Sequence, residues 1–119
     1  MTLRALVLLV TNAIFAFAAD ISGAWNFTVE VGGQSGSPAI AFKQSGESLA
    51  GTYSGLLGSG IPIAGTVKGA DVRFSFQGQA QGEKMTVEYK GALSEDGKSM
   101  KGSVAFGSLG EGTFTATRK

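Results

Sequence analysis

The chain has no cysteine and no histidine, and among its 119 residues only two are proline and one is tryptophan. Without cysteine no disulfide can staple the fold, so stability has to come from a packed core and a well-closed sheet. Without histidine the commonest general base and metal ligand is missing. Serine and threonine nucleophiles therefore lack their usual imidazole partner. The carboxylates are scattered, so no catalytic residue, metal site or cofactor is assigned and no enzyme activity is expected. Charge of one sign is lacking too: ten basic residues stand against nine acidic ones. With no basic run, nucleic acid is not expected as a partner. The glycine-rich segments open no helix, which removes the context of a phosphate cradle.

The start of the chain reads "MTLRALVLLVTNAIFAFAAD". Arg4 precedes an apolar run that carries Thr11 and Asn12 near its middle. A membrane-spanning helix wants about 20 apolar residues, and this run is shorter. Ala16 and Ala18 supply the small residues that a signal peptidase reads. Residues 1–18 are therefore expected to be a removable secretion signal, and residues 19–119 one domain, exported to the periplasm or the exterior. Loss of Arg4 with the leader leaves acidic and basic residues in equal number.

Behind the leader there is no helical periodicity. Apolar residues alternate with polar ones between glycine and serine clusters, the pattern of half-buried strands. Eight strands are predicted: Ile21 to Val31, Ala39 to Gln44, Ser48 to Ser54, Ile61 to Lys68, Asp71 to Gln77, Lys84 to Leu93, Ser99 to Phe106 and Gly112 to Arg118. One parity holds Trp25, Phe27, Val29, Ile40, Phe42, Tyr53, Phe74, Phe76, Val87, Tyr89, Val104, Phe106 and Phe114. The other holds Glu30, Lys43, Lys68, Arg73, Glu88, Lys90 and Lys101. A lipid-facing barrel would need an apolar exterior, so the mature chain is not expected to insert in a membrane.

Connections alternate in kind. "SGES", "KGAD" and "SEDGKS" read as tight turns, whereas "GGQSGSP", "GLLGSG", "GQAQGE" and "GSLGEG" read as longer flexible loops. Successive short connections fit an all-β, antiparallel, up-and-down meander. Closure into an eight-stranded barrel is favoured over a sandwich, because it leaves no free edges. A closed sheet with a charged exterior also suggests a monomer.

A short cadence recurs: "ISGAW", "LAGTY", "IAGTV", "YKGAL" and "MKGSV", each with a glycine on the inward parity. Inward glycines permit strong coiling and are expected to leave an empty layer near the tight-turn end. Trp25 starts the first strand at that end, and Arg118 ends the last. Gly23, Trp25 and Arg118 are therefore read as a structural plug, with the guanidinium over the indole. These residues carry a family resemblance. Gly23-Ala24-Trp25 with a terminal Arg118 resembles the signature of the calycin superfamily, which includes lipocalins, fatty-acid-binding proteins and avidins. The chain is also similar to small exported bacterial β-domains with an "LxGT…MxG…AxR" cadence. The resemblance implies a ligand-binding barrel. It implies no biotin site, because avidins set several tryptophans around biotin and Trp25 is the only one here.

The expected function is binding of a small hydrophobic ligand within the apolar interior, entered from the loop end. Phe42, Tyr53, Phe74, Phe76, Met85, Phe106 and Phe114 are the candidate ligand-binding residues, with the hydroxyls of Tyr53 and Tyr89 as polar anchors. Leu56, Leu57 and Leu109 are the candidate entrance-loop residues. Two alternatives stand beside this. The loops and their leucines form a protein-interaction or inhibitor surface, or the aromatics fill the barrel as a scaffold without a ligand.

Overall fold

In the computed structural model, residues 20–119 are described apart from residue 81, and the expected secretion signal lies outside the described residues. The described chain is all-β, a closed antiparallel meander. Its strands are β1 (Gly23–Val31), β2 (Gln34–Gly36), β3 (Ala39–Ser45), β4 (Ser48–Gly55), β5 (Gly58–Lys68), β6 (Asp71–Ala80), β7 (Glu83–Leu93), β8 (Ser99–Phe106) and β9 (Glu111–Arg118). Each strand from β3 onward pairs with the next, and β9 returns to β1, from Trp25 opposite Arg118 to Glu30 opposite Thr113.

Nine strands make eight staves, because β2 and β3 are one stave interrupted at Ser37-Pro38. The register against β1 is the same on both sides of the break: Val29 faces Gly36, and four residues on, Trp25 faces Ile40. Proline has no N–H to donate, so only half of the exchange opposite Phe27 survives, with Phe27 N–H donating to the Pro38 carbonyl at 3.2 Å.

Alternation sorts the faces as expected for half-buried strands. On β1, Trp25, Phe27 and Val29 are buried while Asn26, Thr28 and Glu30 are exposed. Glu30, Lys43, Lys68, Arg73, Glu88, Lys90 and Lys101 all lie on the exposed outer wall. Among the described residues no helix is long and apolar enough to cross a membrane.

Two sequence expectations need correction. Three of the four supposed long loops are hairpins of two residues. Gly32 and Gly33 (φ +57° and +82°) turn the chain between β1 and β2 with the positive φ pair of a type I′ hairpin. Leu56-Leu57 caps the β4–β5 hairpin, where Gly55 faces Gly58, and β6 and β7 pair up to Ala80 opposite Glu83. Glycine and serine continue the ladder where their composition suggests a loop. Only the fourth connection is broader, a 3-10 turn at Gly107–Leu109.

The second correction concerns the inward glycines. At Gly51, Gly65 and Gly102 a Cβ would overlap the carbonyl oxygens of Ala41, Arg73 and Lys90 respectively. The space is therefore taken by the neighbouring backbone, where the strands coil sharply, and no empty layer is left there. At Gly91 the space is taken by the ring of Phe114. Gly23 is exposed with φ +121°, so the chain bends before β1 and Ile21 turns back into the core.

Trp25 lies fully buried at the end of the barrel where β1 begins and β9 ends. Its Nε1–H donates to the Ile21 carbonyl at 2.9 Å, and the Arg118 guanidinium carbon lies 4.8 Å from the ring centroid. Arg118 also donates from Nε to the Gly97 carbonyl (2.9 Å), from Nη1 to that of Ser22 (3.0 Å) and from Nη2 to that of Asp20. One side chain thus ties the segment before β1 and the end of β9 to the turn before β8.

Candidate functional site

Above the indole the barrel is filled with aromatic rings. Phe27 stacks on Phe114 at 5.3 Å and meets Phe42, Phe74 and Tyr89 edge-on. Tyr89 stacks on Phe74 at 4.6 Å, and Tyr53 on Phe76 at 4.3 Å. Such pairs gain about 0.5–1.5 kcal/mol each beyond the area they bury. This layer is a packed core.

Beyond it, toward the hairpin tips, the wall parts. The β3–β4 ladder ends at Ala39 opposite Ser54, and the register shifts between Tyr53 and Gly55. From there no ladder joins the Leu56-Leu57 tip to β2, which stays on β1, and only the Leu56 side chain reaches across toward Gly36. Between them lies a pocket of about 530 Å³. Val29, Val31, Leu57 and Phe106 supply apolar wall, Tyr53 and Tyr89 bring phenols to it, and Gln34, Ser35 and Ser37 line its β2 side. That volume is within the range of about 300–1,000 Å³ typical of small-molecule sites.

The β5–β6 ladder also stops short, at Ala64 opposite Ser75. Here the gap is bridged. The Leu57 carbonyl accepts from Gln79 N–H at 3.1 Å, and its side chain covers Gly78, where a Cβ would sit 3.2 Å from Leu57 Cβ. The pocket is thus joined by a main-chain hydrogen bond on one flank and by no ladder on the other.

Tyr89 is 1% exposed, yet among the described residues its hydroxyl has no hydrogen-bond partner. Burial pushes its phenol up, and the neighbouring Tyr53 adds to the rise. Burial also pushes Tyr53 up, while the Leu57 N–H, which favours the ionised form, pulls the other way. The neutral forms are thus favoured by folding. Their contribution to stability is complete below the ordinary tyrosine pKa of about 10 and is lost as pH rises above it toward the folded values. These are the only two tyrosines, so phenolate absorbance reads them directly. It is expected to stay flat until the protein unfolds, then rise in one cooperative step above about pH 10. A gradual rise centred near that pH with the fold intact would show phenols open to water.

The sequence-predicted residues fall into three groups. Tyr53 and Phe106 line the pocket. Phe42, Phe74, Phe76 and Phe114 are buried in the aromatic core outside the lining, and Met85 is half-buried beside Gly107. Of the entrance residues, Leu57 folds into the wall, Leu56 lines the mouth with 92% of its surface exposed, and Leu109 is 61% exposed on the 3-10 turn. Val29, Val31 and the Gln34–Pro38 stretch were missed as lining residues. The inward parity of both valines is the available signal, whereas "GGQSGSP" has the composition of a loop. Among the described residues no three Asp or Glu side chains gather as a metal site would require. No protein-family model matches the chain, and no curated protein matches it.

Proposed function

We propose that the protein is an exported, calycin-type barrel that binds one small hydrophobic molecule in the pocket between β2 and the β4–β5 tip. The observation that carries this reading is the contrast along the barrel axis. The half nearer Trp25 is closed by interlocked aromatic rings, while the hairpin end keeps an apolar pocket of about 530 Å³ with phenols at its wall. The Trp25–Arg118 arrangement supports the calycin type. Export rests on the pattern of the leader, and the charged outer wall argues against a barrel set in lipid. Leu56 and Leu109 offer a second reading, a protein-binding surface, favoured by their exposure beside the mouth and on the neighbouring turn.

Ligand binding is tested with the neutral apolar fluorophore phenylnaphthylamine. The purified protein is expected to enhance its emission with saturation at one site. Val31→Trp, which places an indole in the pocket, is expected to abolish the enhancement while the melting temperature is kept. No enhancement by the wild-type protein, or an unchanged signal in Val31→Trp, would remove the pocket as the site.

A further inference from the structure

The pocket wall is chemically lopsided. Its residues include no Lys, Arg, Asp or Glu. A carboxylate or ammonium seated there would lose water without gaining an opposite charge, which is strongly unfavourable. What the wall offers instead is hydrogen-bond donors. Tyr89 Oη has no partner among the described residues, and a buried unmade hydrogen bond is costly. The ring has little freedom to swing elsewhere. Phe74 stacks on it nearly parallel (11°), with Phe27 and Phe114 at 5.7 and 5.1 Å. Tyr53 lines the same pocket, so a second phenol is at hand whose hydroxyl proton can be given to a ligand. Two oriented phenol donors on an uncharged apolar wall select a complementary molecule.

We propose that the ligand is an uncharged molecule with an apolar body and a hydrogen-bond acceptor, such as an ester or ketone carbonyl, that accepts from the buried Tyr89 hydroxyl. This rests on the binding reading above and specifies its chemical class. Fatty acid anions, which the apolar wall alone would admit, are discriminated against by the absence of a cation. Selection of this kind comes from the charge or polar group left unpaired when the wrong ligand enters.

The test is displacement of bound phenylnaphthylamine at neutral pH by three molecules of similar chain length: methyl laurate, laurate and dodecane. Methyl laurate is expected to bind at least about tenfold more tightly than laurate. Tyr89→Phe is expected to weaken methyl laurate about fivefold, the equivalent of one ordinary hydrogen bond, and to leave dodecane unchanged. Tyr53→Phe is expected to act in the same direction. Laurate binding as tightly as its ester would overturn the proposal. So would Tyr89→Phe weakening dodecane as much as the ester. If the fluorophore binds but none of the three displaces it, this ligand class is wrong and the binding reading survives. If the fluorophore itself does not bind, both fall.

Discussion

Trp25→Ala is expected to cost about 4–5 kcal/mol of folding stability, at the upper end for loss of a buried large aromatic side chain. Three losses coincide. The indole is fully buried and edge-on to Phe42 at 6.4 Å, so its removal leaves a cavity at the barrel floor. Its N–H no longer satisfies the Ile21 carbonyl. The Arg118 guanidinium loses an aromatic face worth about 0.5–2 kcal/mol. A small domain has a total of about 5–15 kcal/mol to lose, and no disulfide holds this one together. Denaturant unfolding followed by far-UV circular dichroism measures the change, since the variant has no tryptophan to report by fluorescence. Trp25→Phe keeps most of the apolar volume and loses the N–H, so it should fall between the two. A loss under about 2 kcal/mol for the alanine variant, less than a buried aromatic normally costs, would show that the floor does not depend on the indole.

The second large effect is expected from adding a single carbon. In Gly65→Ala the new Cβ overlaps the Arg73 carbonyl and sits 2.6 and 2.7 Å from Cα and Cβ of Phe74. These are main-chain and Cβ atoms of β6, with no flexible chain end among them to yield, so β5 has to move from β6. Only five residue pairs join those strands, from Ala64 opposite Ser75 to Lys68 opposite Asp71, and Gly65 opposite Phe74 is one of them. The expected cost is about 3 kcal/mol or more, at the high end for overpacking because the clash is with main chain. Ala64→Ser, one residue away on the exposed face, is expected to stay within about 0.5 kcal/mol. Hydrogen exchange at the amides of Thr66 and Arg73, which face each other across β5 and β6, should accelerate in Gly65→Ala and not in Ala64→Ser. A stability change in Gly65→Ala no larger than in the serine variant would mean the strands are not in such close contact.

How much of this was legible beforehand follows the range of each interaction. "TFTATR" at the last strand shows the case at its simplest: Phe114 and Ala116 are buried and the threonines between them exposed. Alternation with a period of two is a property of the local backbone, so inside and outside can be read along the chain. The turns were harder. "GGQSGSP" looks like a loop by composition, yet Gly32-Gly33 makes a tight turn and Gln34–Gly36 stays on the sheet. Glycine and serine disfavour strands only weakly, and pairing to an existing neighbour overrides them.

The amino-acid sequence by itself determined that this chain forms eight staves with a charged exterior and an aromatic interior, because each residue's face follows from its immediate neighbours. Only the tertiary structure decided how high along the barrel each inward side chain sits. Parity treats Phe42, Phe114, Tyr53 and Tyr89 alike. Strand register and coiling put the first two in the packed core and bring the tyrosines to the pocket wall. The parting beside Pro38, the tucking of Leu57 over Gly78 and the unpartnered Tyr89 hydroxyl arise between strands distant in sequence, where no local pattern records them.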